Sequence, residues 1–384
     1  MPSVYINAIA AFLPNKPVDN NNIESVLGEV GGKPSRVRRR ILRSNGIKTR
    51  YYAINPDTGE TTHTNAQLTA EAVRLLVNKD FSIDDIDCLS CGTTLADQIM
   101  PNHAVMTHGE LGNLPCEVVA TAGVCVAGMT ALKYAFLGVA AGEFYSAVAT
   151  GSETASSIMR GKNFEPELSE RNKLLEEYPV IAFEKDFLRW MLSDGAGAVL
   201  LQPKPNSIGV SLKIHWIYER SYANEISACM YSGAVKLSDG SLRGWKEFAP
   251  EEWLSDSIFS VKQDVKQLNE NVIHYTVERP LAEIVEKKGL NPGEIDYFLP
   301  HYSSKYFKEK VADGMKKIGF EIPFERWFTN LSSKGNTGSA SIYIMLEELF
   351  QSGKLKQGEK ILCYIPESGR FSSAYMLLSV CKGL

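Results

Sequence analysis

Apolar and polar positions along this chain follow two rhythms that take turns from about residue 66 onwards. Ala66 to Leu76 repeats its apolar residues at helical spacing and predicts an amphipathic helix. Ile86 to Gly92 and Val118 to Ala122 are short apolar runs that predict strands, the second of them buried. A further apolar helical run extends from Ala131 to about Ala141. Alternation of this kind favours an α/β fold with a mainly parallel, helix-covered sheet.

The pattern then repeats. Asp84-Asp-Ile-Asp-Cys-Leu-Ser-Cys-Gly-Thr-Thr94 resembles Gly293-Glu-Ile-Asp-Tyr-Phe-Leu-Pro-His-Tyr-Ser-Ser304, each an acidic turn running into a strand. Ile86 precedes Cys125 by 39 residues and Ile295 precedes Asn336 by 41. Gly-containing turns at Asp194-Gly-Ala-Gly197 and Ser368-Gly-Arg370 enter the closing apolar strands. Two copies of one α/β unit, residues 1–205 and 206–384, therefore place Cys125 and Asn336 at equivalent helix starts, with Pro203-Lys-Pro-Asn-Ser207 as the break between them. Cys125 to Gly195 spans 70 residues and Asn336 to Gly369 only 33, so the first copy carries an insertion at about 152–193, a natural cap for a substrate tunnel.

Composition narrows the function classes. With 384 residues, 44% hydrophobic and 22% charged, the chain has ample material for a globular core. A net charge of −4 gives no global attraction to nucleic acid, and no apolar run reaches the roughly 20 residues that span a bilayer. The opening Met-Pro-Ser-Val-Tyr-Ile-Asn7 is not a signal peptide. Seven scattered cysteines fit reduced thiols and a cytoplasmic location better than a disulfide framework. Cys88 and Cys91 have metal or redox spacing but sit in a strand pattern without a second pair, and His103 and His108 lack a ligand set, so no metal site is expected.

Candidate chemistry centres on Cys125 in Thr121-Ala-Gly-Val-Cys125-Val-Ala-Gly-Met-Thr130. A thiol on a sharp turn at the positive end of a following helix is biased towards thiolate, the nucleophilic form. Downstream, His301 follows the strand Ile295-Asp-Tyr-Phe-Leu-Pro300, and Asn336 lies in the small-residue loop Lys334-Gly-Asn-Thr-Gly-Ser-Ala-Ser341.

With Asn45-Gly-Ile47, Gly92-Thr-Thr-Leu-Ala-Asp-Gln-Ile-Met-Pro101, Asp194-Gly-Ala-Gly197 and Gly335-Asn-Thr-Gly-Ser339, these residues resemble the thiolase-like superfamily over nearly the whole chain, and within it the β-ketoacyl-carrier-protein synthase III branch. The resemblance implies a duplicated five-layer αβαβα fold. It also implies acyl transfer to Cys125, an oxyanion hole from the backbone N–H groups of Cys125 and the Ser368-Gly369 turn, and enolate stabilisation by His301 and Asn336. No cofactor is implied; substrates arrive as thioesters of acyl carrier protein or coenzyme A. The basic cluster Arg36-Val-Arg-Arg-Arg40 with Arg43, Lys48 and Arg50 falls where the family receives the phosphopantetheine arm, with Arg40 and Arg43 as candidate contacts. The family resemblance and the segment Asp97-Gln-Ile-Met-Pro101 imply a homodimer in which Ile99 or Met100 reaches the neighbour's tunnel.

The C-terminal turn, Glu367-Ser-Gly-Arg-Phe371, lacks both the second cysteine of biosynthetic thiolases and the glycine run of housekeeping synthase III. It resembles instead the ketosynthases that make dialkylresorcinols, where residues matching Glu153 and Arg370 belong to the active site. A carboxylate at Glu153 would take a proton from the acidic CH₂ of a β-ketoacyl thioester without decarboxylation, with Arg370 holding that carboxylate or the developing enolate. The expected activity is condensation and cyclisation of two acyl thioesters to a cyclohexanedione. Two alternatives are a starter-condensing synthase III using malonyl-carrier protein and a non-catalytic subunit that binds a carrier protein.

Overall fold

The computed structural model describes residues 2–383 except 33, 36, 37 and 165–187. The first repeat runs through β1 (Val4–Phe12), α1 (Asn65–Arg74), β2 (Cys88–Thr93), α2 (His103–Leu111), β3 (Glu117–Ala122), α3 (Ala127–Ala141), β4 (Ala147–Glu153) and β5 (Gly195–Gln202). The second runs through β6 (Gly209–Arg220), α4 (Val265–Ile273), α5 (Arg279–Lys288), β7 (Tyr297–Pro300), α6 (Lys308–Lys317), α7 (Ser341–Gln351), β8 (Lys360–Pro366) and β9 (Ser373–Gly383). Helix α1 begins where the pattern indicated because Thr64 and Gln67 form a reciprocal capping box.

All nine strands join one sheet in the order β7-β8-β9-β6-β1-β5-β4-β2-β3. Its two halves have matching order and meet at β1 and β6 through only Val4–Ile214, Tyr5–Lys213 and Ile6–Leu212. In place of a second-half partner to β3, Trp327 bridges Phe298 of β7 in parallel. The mainly parallel expectation is corrected. Only β2–β3, β2–β4 and β7–β8 pair in parallel, because each repeat's first and last strands are laid down antiparallel to their neighbours.

Five layers follow from where the apolar faces go. Helices α3 and α7 lie between the two half-sheets: Met129, Leu132 and Ala135 share a core with Ile342, Met345 and Leu346, closed by Val199 and Leu201 on one side and by Ile361 and Cys363 on the other. Outside the first half-sheet, Leu68 and Ala72 of α1 pack on Leu89, Val148 and Leu200. Outside the second, Leu281 and Ile284 of α5 and Val311 and Met315 of α6 pack on Phe298, Leu362 and Tyr375. A helix apolar on every face, as α3 nearly is, has no other stable place.

The same layering disposes of the Cys88–Cys91 pair. Cys88 faces the central core and Cys91 the outer one, so the strand holds their thiols on opposite sides of the sheet. Strand β3 departs from its expected burial. It is the sheet's free edge, and Glu117, Ala120 and Ala122 are exposed.

The two central helix starts touch back to back. A Cβ on Gly128 would lie 2.4 Å from the Ser339 carbonyl oxygen, and one on Gly151 at 2.3 Å. The Tyr343 hydroxyl donates to the Gly128 carbonyl at 2.7 Å, and the Ser339 hydroxyl to that of Ser152 at 3.0 Å. Since the obstructing atom is backbone, a methyl group here forces the Gly338–Ala340 turn to move. Gly128→Ala is expected to lower stability by about 1–3 kcal/mol, the usual range for an overpacked core. Urea unfolding followed by tryptophan fluorescence checks this; an unchanged midpoint would show that the contact is slack.

Candidate active site

Cys125 lies two residues before α3, in the turn that leaves edge strand β3. Asn336 lies two residues before the Gly338–Ala340 turn that leads into α7. Contact of the two helix starts brings these residues from opposite repeats to one cavity of about 670 Å³. His301, immediately after β7, Glu153, the last residue of β4, and Glu367, immediately after β8, line it too. Its apolar walls include Ile158, Leu188, Met191, Val272, Tyr302 and Phe307.

The hydrogen bonds determine what each polar group presents. Asn336 Oδ1 accepts from the Gly338 N–H at 3.0 Å, so the group left for a ligand is the Nδ2 donor. The loop carrying Asn336 is tied to the first repeat by Asn336 N–H to the Met191 carbonyl (3.1 Å) and Ser193 N–H to the Asn336 carbonyl (2.8 Å). His301 donates its backbone N–H to the Tyr364 carbonyl at 2.8 Å. Burial pushes its imidazole pKa down to about 4, so the ring is neutral near pH 7.

Glu153 is anchored by one oxygen. Its Oε1 accepts from the Thr94 hydroxyl (2.6 Å), the Thr94 N–H (3.2 Å) and the Ser339 N–H (3.1 Å). Burial outweighs these bonds and raises its pKa to about 7. Burial, followed by the charges of Glu153 and Glu367, also pushes the Cys125 thiol well above its ordinary value. The expected bias towards thiolate is thus opposed by desolvation and two carboxylates.

Arg370 is corrected as well. It is exposed, it does not line the cavity, and its Nε donates to the Ile226 carbonyl at 2.6 Å, so no Glu153–Arg370 pair forms among the described residues. Glu367, to which the sequence reading gave no role, joins Glu153 in the cavity wall, as does Asp97, whose oxygens accept the Asn65 and Ala66 N–H groups. In the Ser368-Gly369 turn, the Gly369 N–H already donates to Glu367 Oε2 at 2.5 Å and is not available to an oxyanion. The Ser368 N–H has no acceptor among the described residues, and Ser368 lines the cavity.

The outlying candidates separate. Arg40 and Arg43 are exposed on the helix Arg38–Asn45, which packs against the Lys305–Phe307 turn, and Phe307 is part of the cavity wall. Arg50 does not belong to that basic surface. It is buried, with Nε and Nη2 donating to the Trp190 carbonyl, and Arg38 pairs with Glu24 at 2.7 Å; Arg36 lies outside the described residues. Ile99 and Met100 are 75% and 80% exposed and lie outside the cavity of their own chain. His103 is buried against the Ser152 hydroxyl (3.0 Å), and His108 reaches the Leu114 carbonyl, both outside the cavity. Most of the expected cap lies outside the described residues, but its flanks, including Ile158 and Met191, line the cavity. A contribution the repeat did not foretell comes from the connection between β6 and α4, where Met230, Phe259 and Gln263 reach the same space.

Comparison with known proteins agrees with this architecture. Residues 285–369 match the family described as 3-oxoacyl-acyl-carrier-protein (ACP) synthase III C terminal. The chain is 24% identical over 367 residues to β-ketoacyl-acyl-carrier-protein synthase III of Clostridium acetobutylicum, covering 94% of each chain. It is 23% identical to that of Koribacter versatilis, covering 97% of this chain and 96% of the relative. Among solved structures it superposes on the tetronic acid condensing enzyme AbyA1 with a TM-score of 0.74 at 18% identity, covering 98% of this chain and 99% of the other. OleA of Xanthomonas campestris, solved with bound lauric acid and lauroyl-CoA, gives 0.72 at 19% identity and the same coverage. The chain thus shares its α/β fold with these condensing enzymes. In sequence it is similar to synthase III over nearly its whole length.

The raised pKa of Glu153 has a stability signature. Folding favours its protonated form, so the stabilisation is full below the ordinary carboxylate value of 4.5 and is lost as pH rises through about 7. Glu153→Gln should gain on the wild type by up to about 3 kcal/mol between pH 4.5 and pH 8. Urea midpoints of the two chains at both pH values check this; a constant gap would mean the carboxyl ionises as readily folded as unfolded.

Proposed function

We propose that the protein condenses two acyl thioesters through an acyl group carried on Cys125, and that the second substrate is a β-ketoacyl thioester deprotonated by Glu153. The supporting observation is a buried carboxyl, its pKa raised to about 7 by burial, that lines the same cavity as the thiol, the neutral imidazole and the Asn336 amide donor. A base whose pKa matches the working pH is suited to taking a proton from the acidic CH₂ between two carbonyls.

Cys125 sulfur attacks the first thioester and expels the carrier thiol, with the oxyanion received by backbone N–H groups of Cys125 and Ser368. His301 and the Asn336 Nδ2 donate to the thioester carbonyl of the second substrate as its enolate forms. The enolate carbon then bonds to the acyl carbon, and Cys125 leaves. With an α,β-unsaturated acyl group, C4 of the β-ketoacyl unit then adds to the β-carbon of the new enone and its proton passes to the α-carbon; no group leaves, the second thioester stays intact, and the six-membered ring is a cyclohexanedione, the precursor of a dialkylresorcinol. Glu153 supports this reading without Arg370, which lies away from the cavity.

A carrier protein or coenzyme A brings the thioesters, and the exposed Arg40 and Arg43 beside Lys305–Phe307 suit the phosphate of a pantetheine arm. A homodimer is part of the proposal. The open edge of β3 and the exposed Ile99, Met100, Leu114 and Leu137 suit a second copy better than water.

Cys125→Ser is expected to stay folded and lose the acyl-enzyme adduct, read by intact mass after incubation with acyl-CoA. His301→Ala and Asn336→Ala should acylate and fail to condense. Glu153→Gln should acylate and form no cyclic product. Product mass from paired thioesters reports whether carbon dioxide is retained, and turnover with malonyl-carrier protein alone as nucleophile would instead mark a starter-condensing synthase. Sedimentation at micromolar concentration is expected to give a dimer; a stable monomer would remove that part of the proposal.

A further inference from the structure

The turn after β8 is held by a carboxylate. Glu367 Oε2 accepts the Gly369 N–H at 2.5 Å and Oε1 the Ser372 N–H at 2.6 Å, while the Arg370 N–H lies 3.2 and 3.3 Å from the two oxygens. The Glu367 N–H donates to the Ser372 carbonyl at 2.9 Å, which closes the loop. From outside, the Gly369 carbonyl accepts the Cys229 and Met230 N–H groups at 2.7 and 3.2 Å. The N–H groups of Gly369, Arg370 and Ser372 are thereby consumed inside the protein, while the N–H of Ser368, a residue that lines the cavity, has no acceptor among the described residues.

The rest of the turn confirms that this shape is imposed. Phe371 has φ of 59°, a left-handed conformation that costs a bulky residue about 1–3 kcal/mol, yet it is fully buried. Its ring stacks on Tyr275 with centroids 6.1 Å apart and planes at 19°. Tyr275 belongs to the π-helical stretch His274–Glu278 between α4 and α5, a widening that shifts which side chains meet the turn. A strained residue persists where its surroundings over-determine it, and the surroundings here are an aromatic stack on one side and Glu367 on the other.

We propose that Glu367 is a positioning residue for the acyl-transfer step: its carboxylate sets the turn so that the Ser368 N–H points at the oxyanion formed on Cys125. The inference rests on the acyl-enzyme reading above. Glu367 does for this chain, by accepting three N–H groups, what a run of small residues does by fitting closely. The cost falls on the thiol. Glu153 at the end of β4 and Glu367 at the end of β8 are the charged groups acting on Cys125, with the neutral His301 in the same cavity, so both charges oppose the thiolate.

Positioning and charge therefore pull two measurable reactions in opposite directions. Glu367→Gln removes the charge and sets an NH₂ group against a backbone N–H. Alkylation of Cys125 by iodoacetamide, which needs thiolate but no oxyanion hole, should shift its pH profile to lower pH. Acylation by acyl-CoA at a fixed pH should slow by about 10²-fold, the loss expected for a misplaced catalytic group. Glu367→Asp, which keeps two acceptor oxygens, should recover part of the acylation rate and is the second variant should the amide prevent folding.

Both rates are read by mass spectrometry on chains whose circular dichroism matches wild type. Undiminished acylation of Glu367→Gln overturns the inference while leaving the acyl-enzyme reading intact. Alkylation and acylation falling together overturn it as well, since that is what simple loosening of the fold gives. A wild-type chain that takes up no acyl group from any thioester sinks the acyl-enzyme reading and this inference with it.

Discussion

Everything at the candidate site depends on how closely two helix starts approach. The Ser339 carbonyl sits where Cβ atoms of Gly128 and Gly151 would be, and Tyr343 reaches back to the Gly128 carbonyl. With that contact made, Cys125 and Asn336 face one space, and Ser339 donates its backbone N–H to Glu153. Interiors packed to crystal density transmit small displacements, so a side chain at this seam would disturb the thiol, the amide and the carboxyl together.

The electrostatics of the cavity are set by water exclusion. Burial keeps His301 neutral, is the largest influence raising the pKa of Glu153 to about 7, and, with the charges of Glu153 and Glu367, suppresses ionisation of Cys125. A cavity in that state disfavours charged occupants, and the Asn336 Nδ2 donor has no internal partner among the described residues. Local hydrogen bonds adjust this balance without reversing it: three of them reach Glu153, and its pKa still rises.

Much of this was legible in the residue order. Spacing of acidic turn, strand and small-residue loop marked the duplication, and with it the equivalence of Cys125 and Asn336, because backbone periodicity is written locally. The exposure of β3 was not legible, since an apolar strand at a sheet edge and one at its centre have the same composition. Arg370 misled because a charged residue in a family-like turn can point either way, and its direction is decided by the Ile226 carbonyl 144 positions earlier in the chain. Glu367 was visible as a residue but not as a part. Only the folded turn reveals that its carboxylate reaches its own backbone, although a carboxylate two residues before a glycine was a usable sign of such a loop. The contribution of the connection between β6 and α4 is non-local in the same way, as nothing within Met230 to Gln263 announces a cavity wall.

The seam between α3 and α7 also bears on descent. An ancestral chain with one repeat, pairing with its twin, would have had two identical helix starts and two identical pockets. Here one start carries the thiol and the other the amide, and Glu153 from the first repeat is held in part by the Ser339 N–H of the second. The copies have divided the labour so completely that neither retains a spare of what the other holds. They are bound to change in step: a drift in one repeat's turn can be answered only by the other, and the duplicated chain has become a single heritable part.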